Sequence, residues 1–254
     1  MMVQNKIVLV TGGSRGLGKN MAISLAKKGL DVILTYKSSK TSALAVVKEI
    51  EVLGNKAAAL QLNVDDSKKF DSFFISLNAT LKDIFNADKL DFLVNNAGIG
   101  INESLKNTTE DQFNEMVNIH FKAPFFLTQK ILPYLNNEGG IVNVSTGLTR
   151  FTLPGYAAYA ASKGAVEILS LYLAKELGEN KIRVNTVAPG AIETDFGGGA
   201  VRDNKDLNDF IGSQTALGRV GIASDIGSVV AFLCTDDAKW INAQRIEVSG
   251  GQMI

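Results

Sequence analysis

The feature that most constrains the fold is a glycine turn near the start of the chain, between a β-branched run and a helical pattern. Residues 6–11 (KIVLVT) are typical of a buried strand, and glycines follow at positions 12, 16 and 18. Apolar residues then recur at helical spacing, at Leu17, Met21 and Leu25. In such a strand, turn and helix, backbone N–H groups and the helix N-terminus can receive a pyrophosphate. The turn therefore indicates nucleotide binding, with a purely structural turn as the alternative.

The same alternation of short apolar runs and longer helical patterns continues along the chain. The predicted strands are residues 6–11, 31–36, 56–62, 90–94, 141–145, 183–187 and 245–248. This order favours right-handed βαβ crossovers, and hence an α/β fold: a Rossmann-type doubly wound parallel sheet of about seven strands with helices on both faces. No linker or internal repeat interrupts the pattern, so residues 1–254 are predicted to form a single domain.

Composition excludes several classes of function. The one cysteine, Cys234, rules out an internal disulfide and a cysteine-rich zinc site, and any Ser-His-Asp triad would have to use the one histidine, His120. The 26 basic and 26 acidic residues balance, which leaves no basic field for a nucleic acid backbone. No signal-peptide pattern opens the sequence, and no apolar run approaches membrane-spanning length. We expect a cytoplasmic protein with no metal site, no nucleic acid partner and no membrane association.

Further motifs follow the glycine turn in a characteristic order. They are Thr-Gly-x-x-x-Gly-x-Gly at 11–18, Asn95-Asn96-Ala97-Gly98, Asn118, Tyr159-x-x-x-Lys163, Pro189-Gly190, and a tail from Gly-Arg-Val-Gly to Gly-Gly at 218–251. Together they span nearly the whole chain, which therefore resembles the short-chain dehydrogenase/reductase family, with similarity to its 3-oxoacyl-acyl-carrier-protein reductase-like members. The resemblance implies an oxidoreductase that transfers a hydride between NADPH and a carbonyl or secondary alcohol, and a small-molecule substrate.

The resemblance also implies a cofactor site along the ends of the strands. Its residues are Gly12, Ser14, Arg15, Gly16, Leu17, Gly18, Tyr36, Lys37, Ser38, Asn63, Val64, Asn95, Ala97, Gly98, Tyr159, Lys163, Pro189, Gly190, Ile192 and Thr194. Asn63 stands where the family usually has an aspartate beside the adenine ring. Asn95, Ala97 and Gly98 either line the adenosine ribose or brace the central strands. The Ile192 backbone and the Thr194 hydroxyl are expected to bind the carboxamide.

The end of the second predicted strand bears on the choice between NADP and NAD. NAD enzymes usually place an acid about 20 residues beyond the glycine turn, where it holds the ribose 2′-hydroxyl. Here that position is Tyr36, followed by Lys37 and two serines, and Arg15 lies in the turn. Cations and hydroxyls attract a 2′-phosphate, whereas an acid repels it. NADP is therefore predicted in preference to NAD, unless both cations are ordinary surface residues.

Tyr159 and Lys163 are the predicted proton donor and its electrostatic partner. They stand four apart in a helical pattern, so both side chains project from one face. A free phenol titrates near 10, and a nearby ammonium lowers that pKa toward the useful range. Tyr159 is thus assigned as general acid in reduction or base in oxidation, and Lys163 as its partner and a ligand of the nicotinamide ribose.

Two further catalytic positions follow from the resemblance. The family places a serine hydroxyl against the substrate oxygen, and counting back 13 positions from Tyr159 reaches Thr146, with Ser145 as the fallback. Asn118 falls where the family holds a proton-relay water, with a surface role on the helix as the alternative. His120 is expected to point elsewhere, as a packing or surface histidine.

Some questions stay open at the level of sequence. The substrate pocket is expected within residues 147–158 and 195–214, where Phe196 and the glycines at 197–199 suit a mobile lid or a plain flexible loop. A sugar- or steroid-type alcohol dehydrogenase working oxidatively and a non-catalytic NADP-sensing regulator are the alternative functions. A nucleotide-sugar epimerase fits the glycine spacing less well. Family analogy alone suggests a homotetramer.

Overall fold

The computed structural model describes residues 5–254, in which seven parallel strands form one sheet of order β3-β2-β1-β4-β5-β6-β7. The strands are β1 (Ile7–Val10), β2 (Asp31–Tyr36), β3 (Ala57–Gln61), β4 (Leu90–Asn95), β5 (Leu135–Val144), β6 (Arg183–Pro189) and β7 (Arg245–Val248). The chain winds outward from β1 in one direction and from β4 in the other. This confirms the predicted doubly wound parallel sheet.

Nine α-helices accompany the sheet in the described part of the chain. They are α1 (Gly16–Lys27), α2 (Lys40–Val52), α3 (Phe70–Thr80), α4 (Glu110–Val117), α5 (Ala123–Ile131), α6 (Ala157–Glu176), α7 (Ala200–Asp203), α8 (Lys205–Ser213) and α9 (Ala223–Leu233). None of the helices in residues 5–254 has the length and apolar character that a membrane span requires.

Two apolar cores lie on opposite faces of the sheet, because alternate strand residues point to opposite sides. On one face, β1 residues such as Val8 pack with Met21 and Leu25 of α1 and with Val230 of α9. On the other, Leu9 joins the aromatic stripe of α3 and the inner residues of α5. Since both faces are covered, the central strand β1 is apolar throughout, and its four residues are buried.

The strand order reverses between β1 and β4, and ligands of such sheets bind beyond the carboxyl ends of the strands at this point. The loops after β1, β4, β5 and β6 all open there. One strand differs from expectation: β5 begins at Leu135 rather than at 141, with a register shift against β4 between Leu90 and Phe92. Its first half reads Asn-Asn-Glu-Gly-Gly, which resembles a turn, and Glu138 has a positive φ of 66°.

Candidate active site

The backbone of the glycine turn adopts conformations and close contacts that residues with a Cβ could not adopt. Gly12 and Gly16 have φ values of +67° and +55°, and a Cβ on Gly18 would lie 2.1 Å from the Gly12 carbonyl oxygen. Helix α1 begins at Gly16 without a capping side chain from Arg15 and without an acid in its first turn. Its first N–H groups have no partner within the helix, so they face the crevice as free donors. The turn faces the loop after β6, since a Cβ on Gly16 would lie 3.7 Å from Thr194 Cβ.

The corner predicted to hold the 2′-phosphate is formed by the end of β2 and the turn. Tyr36 is buried, while Arg15 and Lys37 are exposed, and neither cation has an ion-pair partner within residues 5–254. Ser38 is exposed beside Lys37, and Ser14 is half-buried in the turn. The corner is therefore positive, with hydroxyls and without an acid among these residues.

The two asparagines at the end of β4 contact different parts of the structure, one the sheet and the other the glycine turn. Asn95 is buried and donates to Asn143 Oδ1 at 2.8 Å, so its amide braces β4 against β5. Asn96, which sequence reasoning left out of the site, donates to the Thr11 carbonyl at 2.9 Å and holds the turn. Ala97 also approaches the turn, because its N–H donates to the Thr11 hydroxyl. The sequence could have indicated this role for Asn96. It follows Asn95 at the end of a predicted strand, and successive strand residues face opposite sides of the sheet.

The remaining cofactor-site residues lie at the rim of the same crevice. Asn63 and Val64 are half-buried after β3. Pro189 ends β6, and Gly190 N–H donates to the Val248 carbonyl. Gly221 bonds with the residues on either side of Ile192, which leaves the Ile192 N–H and carbonyl facing the other way. The sheet therefore brings these loops together as the sequence predicts.

Tyr159 and Thr146 face each other at the centre of the site. Both are buried, with exposed fractions of 7% and 9%. Burial is the largest influence on the phenol and raises its pKa, while a hydrogen bond from the Thr146 hydroxyl opposes that rise. Burial outweighs any effect of Lys163, so the expected lowering of the Tyr159 pKa is not found. The phenol is therefore held in its protonated form.

Lys163 lies below this pair, on the same face of α6. Its Nζ donates to the Val144 carbonyl at 2.6 Å and lies 5.9 Å from the centre of the Tyr159 ring. Burial lowers the pKa of this ammonium to about 8, and the charge of Glu167 opposes that shift. The ammonium is thus anchored to the last residue of β5, two positions before Thr146, rather than bonded directly to the phenol.

Ser145 has a different partner from its neighbour. Its hydroxyl donates to Glu167 Oε1 at 2.6 Å. Thr146, by contrast, begins a short turn in which its hydroxyl also accepts from the Leu148 N–H. The geometry brings Thr146, and not Ser145, to the phenol.

The expectation for His120 is wrong in one respect. Its ring does pack in the core, but it lies edge-on against Tyr159, with centroids 5.0 Å apart, instead of pointing elsewhere. The reason is a π-helical segment, Asn118–Lys122, whose wider turn changes the direction of the side chains. His120 Nε2 donates to the Ile99 carbonyl at 2.8 Å. Burial, and then the charge of Lys163, lower the pKa of His120 well below its usual value, so the imidazole is neutral. Asn118 begins the same segment, half-buried, where the regular carbonyl ladder opens.

A mainly apolar cavity lies near the site, and its lining residue Tyr156 has its ring 6.4 Å from the Tyr159 ring. The cavity, of about 310 Å³, is lined by Ser104, Leu105, Leu148, residues 152–157 and Ala160. The Phe196 ring lies 5.7 Å from the Tyr159 ring and would clash with a Cβ on Gly100. Much of the predicted 147–158 segment thus lines the cavity. Residues 100–105 had no sequence signal, because their contribution depends on how the loop after β4 folds back.

This set of donors fits a nicotinamide dinucleotide. The uncapped start of α1 suits a pyrophosphate, the cations at Arg15 and Lys37 suit a 2′-phosphate, and the Ile192 backbone suits a carboxamide. Tyr159 and Lys163 then stand where a ribose and a reacting carbonyl would meet. The arrangement can orient a carbonyl and give it a proton.

Comparison with known proteins agrees with this geometry. A family model described as enoyl-(acyl carrier protein) reductase matches residues 12–253. The chain is 37% identical over 253 residues to a 3-oxoacyl-acyl-carrier-protein reductase of Staphylococcus aureus, covering 98% of this chain and 99% of that one. It is 32% identical over 259 residues to a hydroxynaphthalene reductase-like protein of Metarhizium majus, covering 98% and 95%.

Solved structures extend the likeness to three dimensions. The reductase LugOII, which catalyses keto-reduction at C1 in lugdunomycin biosynthesis, superimposes with a TM-score of 0.94 at 35% identity, over 100% of both chains. The angucycline C-6 ketoreductase LanV with bound NADP gives a TM-score of 0.93 at 35% identity, over 98% of this chain and 95% of that one.

Proposed function

The chain belongs to the short-chain dehydrogenase/reductase family and is an oxidoreductase, and from that premise we propose that it reduces ketones with NADPH in preference to NADH. The observation that carries the proposal is the buried pair of hydroxyls, Tyr159 with a hydrogen bond from Thr146, together with the Lys163 ammonium 5.9 Å from the centre of the Tyr159 ring. A site that only sensed a cofactor would have no use for a proton donor at this place.

Each residue of the site has a part in the proposed reaction. When bound, the nicotinamide supplies the hydride. Thr146 donates a hydrogen bond to the substrate oxygen, and Tyr159 gives that oxygen its proton as negative charge develops there. Lys163 holds the ribose and stabilises the phenolate that remains. Asn118, in the opened turn, holds a water that returns a proton toward Lys163.

The protonation of Tyr159 favours reduction over oxidation. Burial raises its pKa, so the phenol carries its proton across the neutral range and is ready to donate. Oxidation of an alcohol needs the phenolate, whose population grows about tenfold with each unit that the pH rises while it is still below the pKa. Oxidation should therefore become faster as the pH rises, while the supply of the protonated phenol changes little near neutrality.

The preference for NADPH rests on charge. Arg15 and Lys37 are exposed, have no carboxylate partner in the described chain and lie near two hydroxyl side chains. A cation freed from internal pairing can bind a 2′-phosphate without first breaking a salt bridge. The bound NADP of related ketoreductases supports the same choice.

The substrate we propose is an apolar, ring-bearing ketone. The cavity is lined mainly by aliphatic side chains together with Tyr156, whose ring lies 6.4 Å from the Tyr159 ring, and the Phe196 ring lies 5.7 Å from the Tyr159 ring. Relatives named for hydroxynaphthalene reduction and for keto-reduction in angucycline biosynthesis support a flat aromatic substrate. A 3-oxoacyl thioester is the second candidate, because of the likeness to the S. aureus acyl-carrier-protein reductase.

A homo-oligomer is part of the proposal. Helix α6 carries exposed Ile168, Leu171 and Tyr172 on one stripe, and α5 exposes Phe125 and Phe126. Clustered apolar side chains of this kind mark surfaces that another chain covers. The molecular mass in solution, measured by light scattering, would test this directly, and a monomer at micromolar concentration would contradict it.

The proposed activity is tested by following NADPH consumption over a panel of ketones. The panel contains naphthalene-derived ketones, a 3-oxoacyl thioester and small polar sugar ketones, each with NADPH and with NADH. We expect turnover of the ring ketones with NADPH. NADPH binding without turnover of any member would favour the sensing role, and faster oxidation of sugar or steroid alcohols at neutral pH would favour the oxidative alternative.

A further inference from the structure

Glu167 lies one helical turn beyond Lys163 on α6 and holds the segment after β5 that carries Thr146. Three donors converge on its Oε1: the hydroxyls of Ser145 at 2.6 Å and Thr149 at 2.8 Å, and Arg245 Nε at 2.9 Å. Its side chain is only 17% exposed. Three donors on one oxygen hold this half-buried carboxylate in a fixed position. The two hydroxyls come from the segment after β5, and the guanidinium comes from β7.

Arg245 completes the arrangement from β7. Besides its bond to Glu167, its guanidinium donates to the Thr146 carbonyl at 3.2 Å and to the Thr149 hydroxyl at 2.9 Å. The planar group thus holds both ends of the turn that follows Thr146. Arg245 fixes the backbone of Thr146, and Glu167 fixes the side chains of Ser145 and Thr149 on either side of it.

The same carboxylate faces the active-site ammonium. Residues four apart on a helix lie on the same side, which brings the charge of Glu167 toward Lys163. Tyr159 faces Lys163 from the same helix, and His120 faces it from the π-helical segment. Arg245 faces Glu167 from β7, and Glu247 lies beyond it, paired with Arg245 and Arg150.

We propose that Glu167 is a positioning residue of the active site, which with Arg245 holds the Thr146 turn against Tyr159 and supplies the carboxylate charge that Lys163 faces. The inference rests on the proposed roles of Thr146 and Lys163. If it holds, the charges of Glu167 and Arg245 shift the pKa of Lys163 in opposite directions. A purely mechanical brace would not produce effects of opposite sign.

The sign of the effect follows from electrostatics. The pKa of Lys163, about 8, is held up by the negative charge of Glu167 against the effect of burial. Removing that charge in Glu167→Gln lowers the pKa further. Removing the positive charge next to it, in Arg245→Gln, raises it, because Glu167 then acts on Lys163 unopposed.

The first measurement is an NMR titration of lysine side chains labelled at Cε, in the protein alone. The Lys163 signal is assigned by its loss in Lys163→Arg. We expect the Lys163 pKa to fall by about half a unit or more in Glu167→Gln and to rise by a similar amount in Arg245→Gln. Glu247→Gln is the matched control, since Glu247 binds the same arginine, and Arg150 at the end of the turn, but makes no bond to Glu167 or Thr146 in the described chain, and it should leave the value within about 0.2 units.

The second measurement is steady-state kinetics of the same variants. Glu167→Gln should lower kcat by about tenfold with KM for NADPH within about twofold, because the misplaced hydroxyl serves the reaction and not cofactor binding. Glu167→Asp, which keeps the charge, should restore the Lys163 pKa. Wild-type levels of kcat and of the Lys163 pKa in Glu167→Gln would overturn the inference, as would shifts of the same sign in both charge variants.

The outcomes remain distinct from those of the proposed function. If the wild-type protein binds NADPH but reduces no ketone, the proposed function fails. The NMR titration still shows whether Glu167 and Arg245 shift the pKa of Lys163 in opposite directions. Should Glu167→Gln not fold, Arg245→Gln alone decides it: a raised Lys163 pKa supports the inference, and an unchanged or lowered one overturns it.

Discussion

Glycines serve opposite purposes at the cofactor side and the substrate side of this site. At the cofactor side, a Cβ on Gly18 would meet the Gly12 carbonyl at 2.1 Å, so glycine is required for space. At the substrate side, a Cβ on Gly197 or Gly198 would have nothing within 4 Å, yet their φ values are +61° and +74°. There glycine is required only for backbone conformation. The first region is a close-packed backbone surface, and the second is an open rim whose shape depends on a few side chains.

This difference predicts how the two regions respond to substitution. Changes at the cofactor side should alter NADPH affinity, while changes at the catalytic centre should alter turnover at constant affinity. Changes at the rim should alter the range of substrates. The following experiments test that separation.

The largest effect is expected at the proton donor. Tyr159→Phe should lower kcat by about 10²- to 10⁴-fold, because only the proton is lost, and leave the Kd for NADPH almost unchanged. Lys163→Ala should weaken both, since the ammonium serves ribose and phenol. Stopped-flow kinetics and fluorescence titration give the two quantities. More than about a tenth of wild-type activity in the Phe variant would contradict the role of the phenol.

The next effect separates Thr146 from Ser145. Thr146→Val removes the hydroxyl at nearly constant shape and should cost about 10²-fold in kcat, or roughly 2.7 kcal/mol, while Thr146→Ser retains most activity. Ser145→Ala leaves Thr149 and Arg245 on Glu167 and should lower kcat only a few-fold, on the order of a single neutral hydrogen bond. A severe loss in Ser145→Ala beside an active Thr146→Val would reverse the assignment.

A smaller effect is expected at the cofactor corner. NADPH should bind at least about tenfold more tightly than NADH, a difference near 1.4 kcal/mol. Lys37→Glu should abolish or invert the ratio by placing an acid beside the 2′-position, while kcat at saturating cofactor changes little. Lys40→Glu, at the exposed start of α2, is the control for a general loss of positive charge. Equal affinity for both cofactors in the wild type would contradict the preference.

The smallest effect is expected at the rim. Phe196→Ala should raise KM for a ring ketone about three- to tenfold by removing an aromatic contact, and should leave the Kd for NADPH unchanged. Trp240→Ala, at an exposed aromatic position outside the predicted substrate pocket, serves as the control. Weaker NADPH binding in Phe196→Ala would show that the loop belongs to the cofactor side and would remove the distinction between the two regions.

The two regions also differed in how far the sequence predicted them. The glycine turn carries a strong sequence signal, because close backbone contacts demand glycine at fixed positions. The direction of the His120 side chain was predicted wrongly, since it depends on a π-helical turn that no periodicity indicates. Glu167 carries no local signal at all, because its partners lie 22 and 78 positions away along the chain. The prediction of a single domain stays a prediction.

The most direct test is a crystal structure of the protein with NADP⁺ and a ketone that it reduces. We predict that the ketone oxygen lies about 3 Å from both Thr146 Oγ1 and Tyr159 Oη, with the 2′-phosphate near Lys37 and Arg15. Ser145 should remain bonded to Glu167. A ketone oxygen bound by Ser145 or out of reach of Tyr159, or a 2′-phosphate turned away from both cations, would contradict the proposed mechanism.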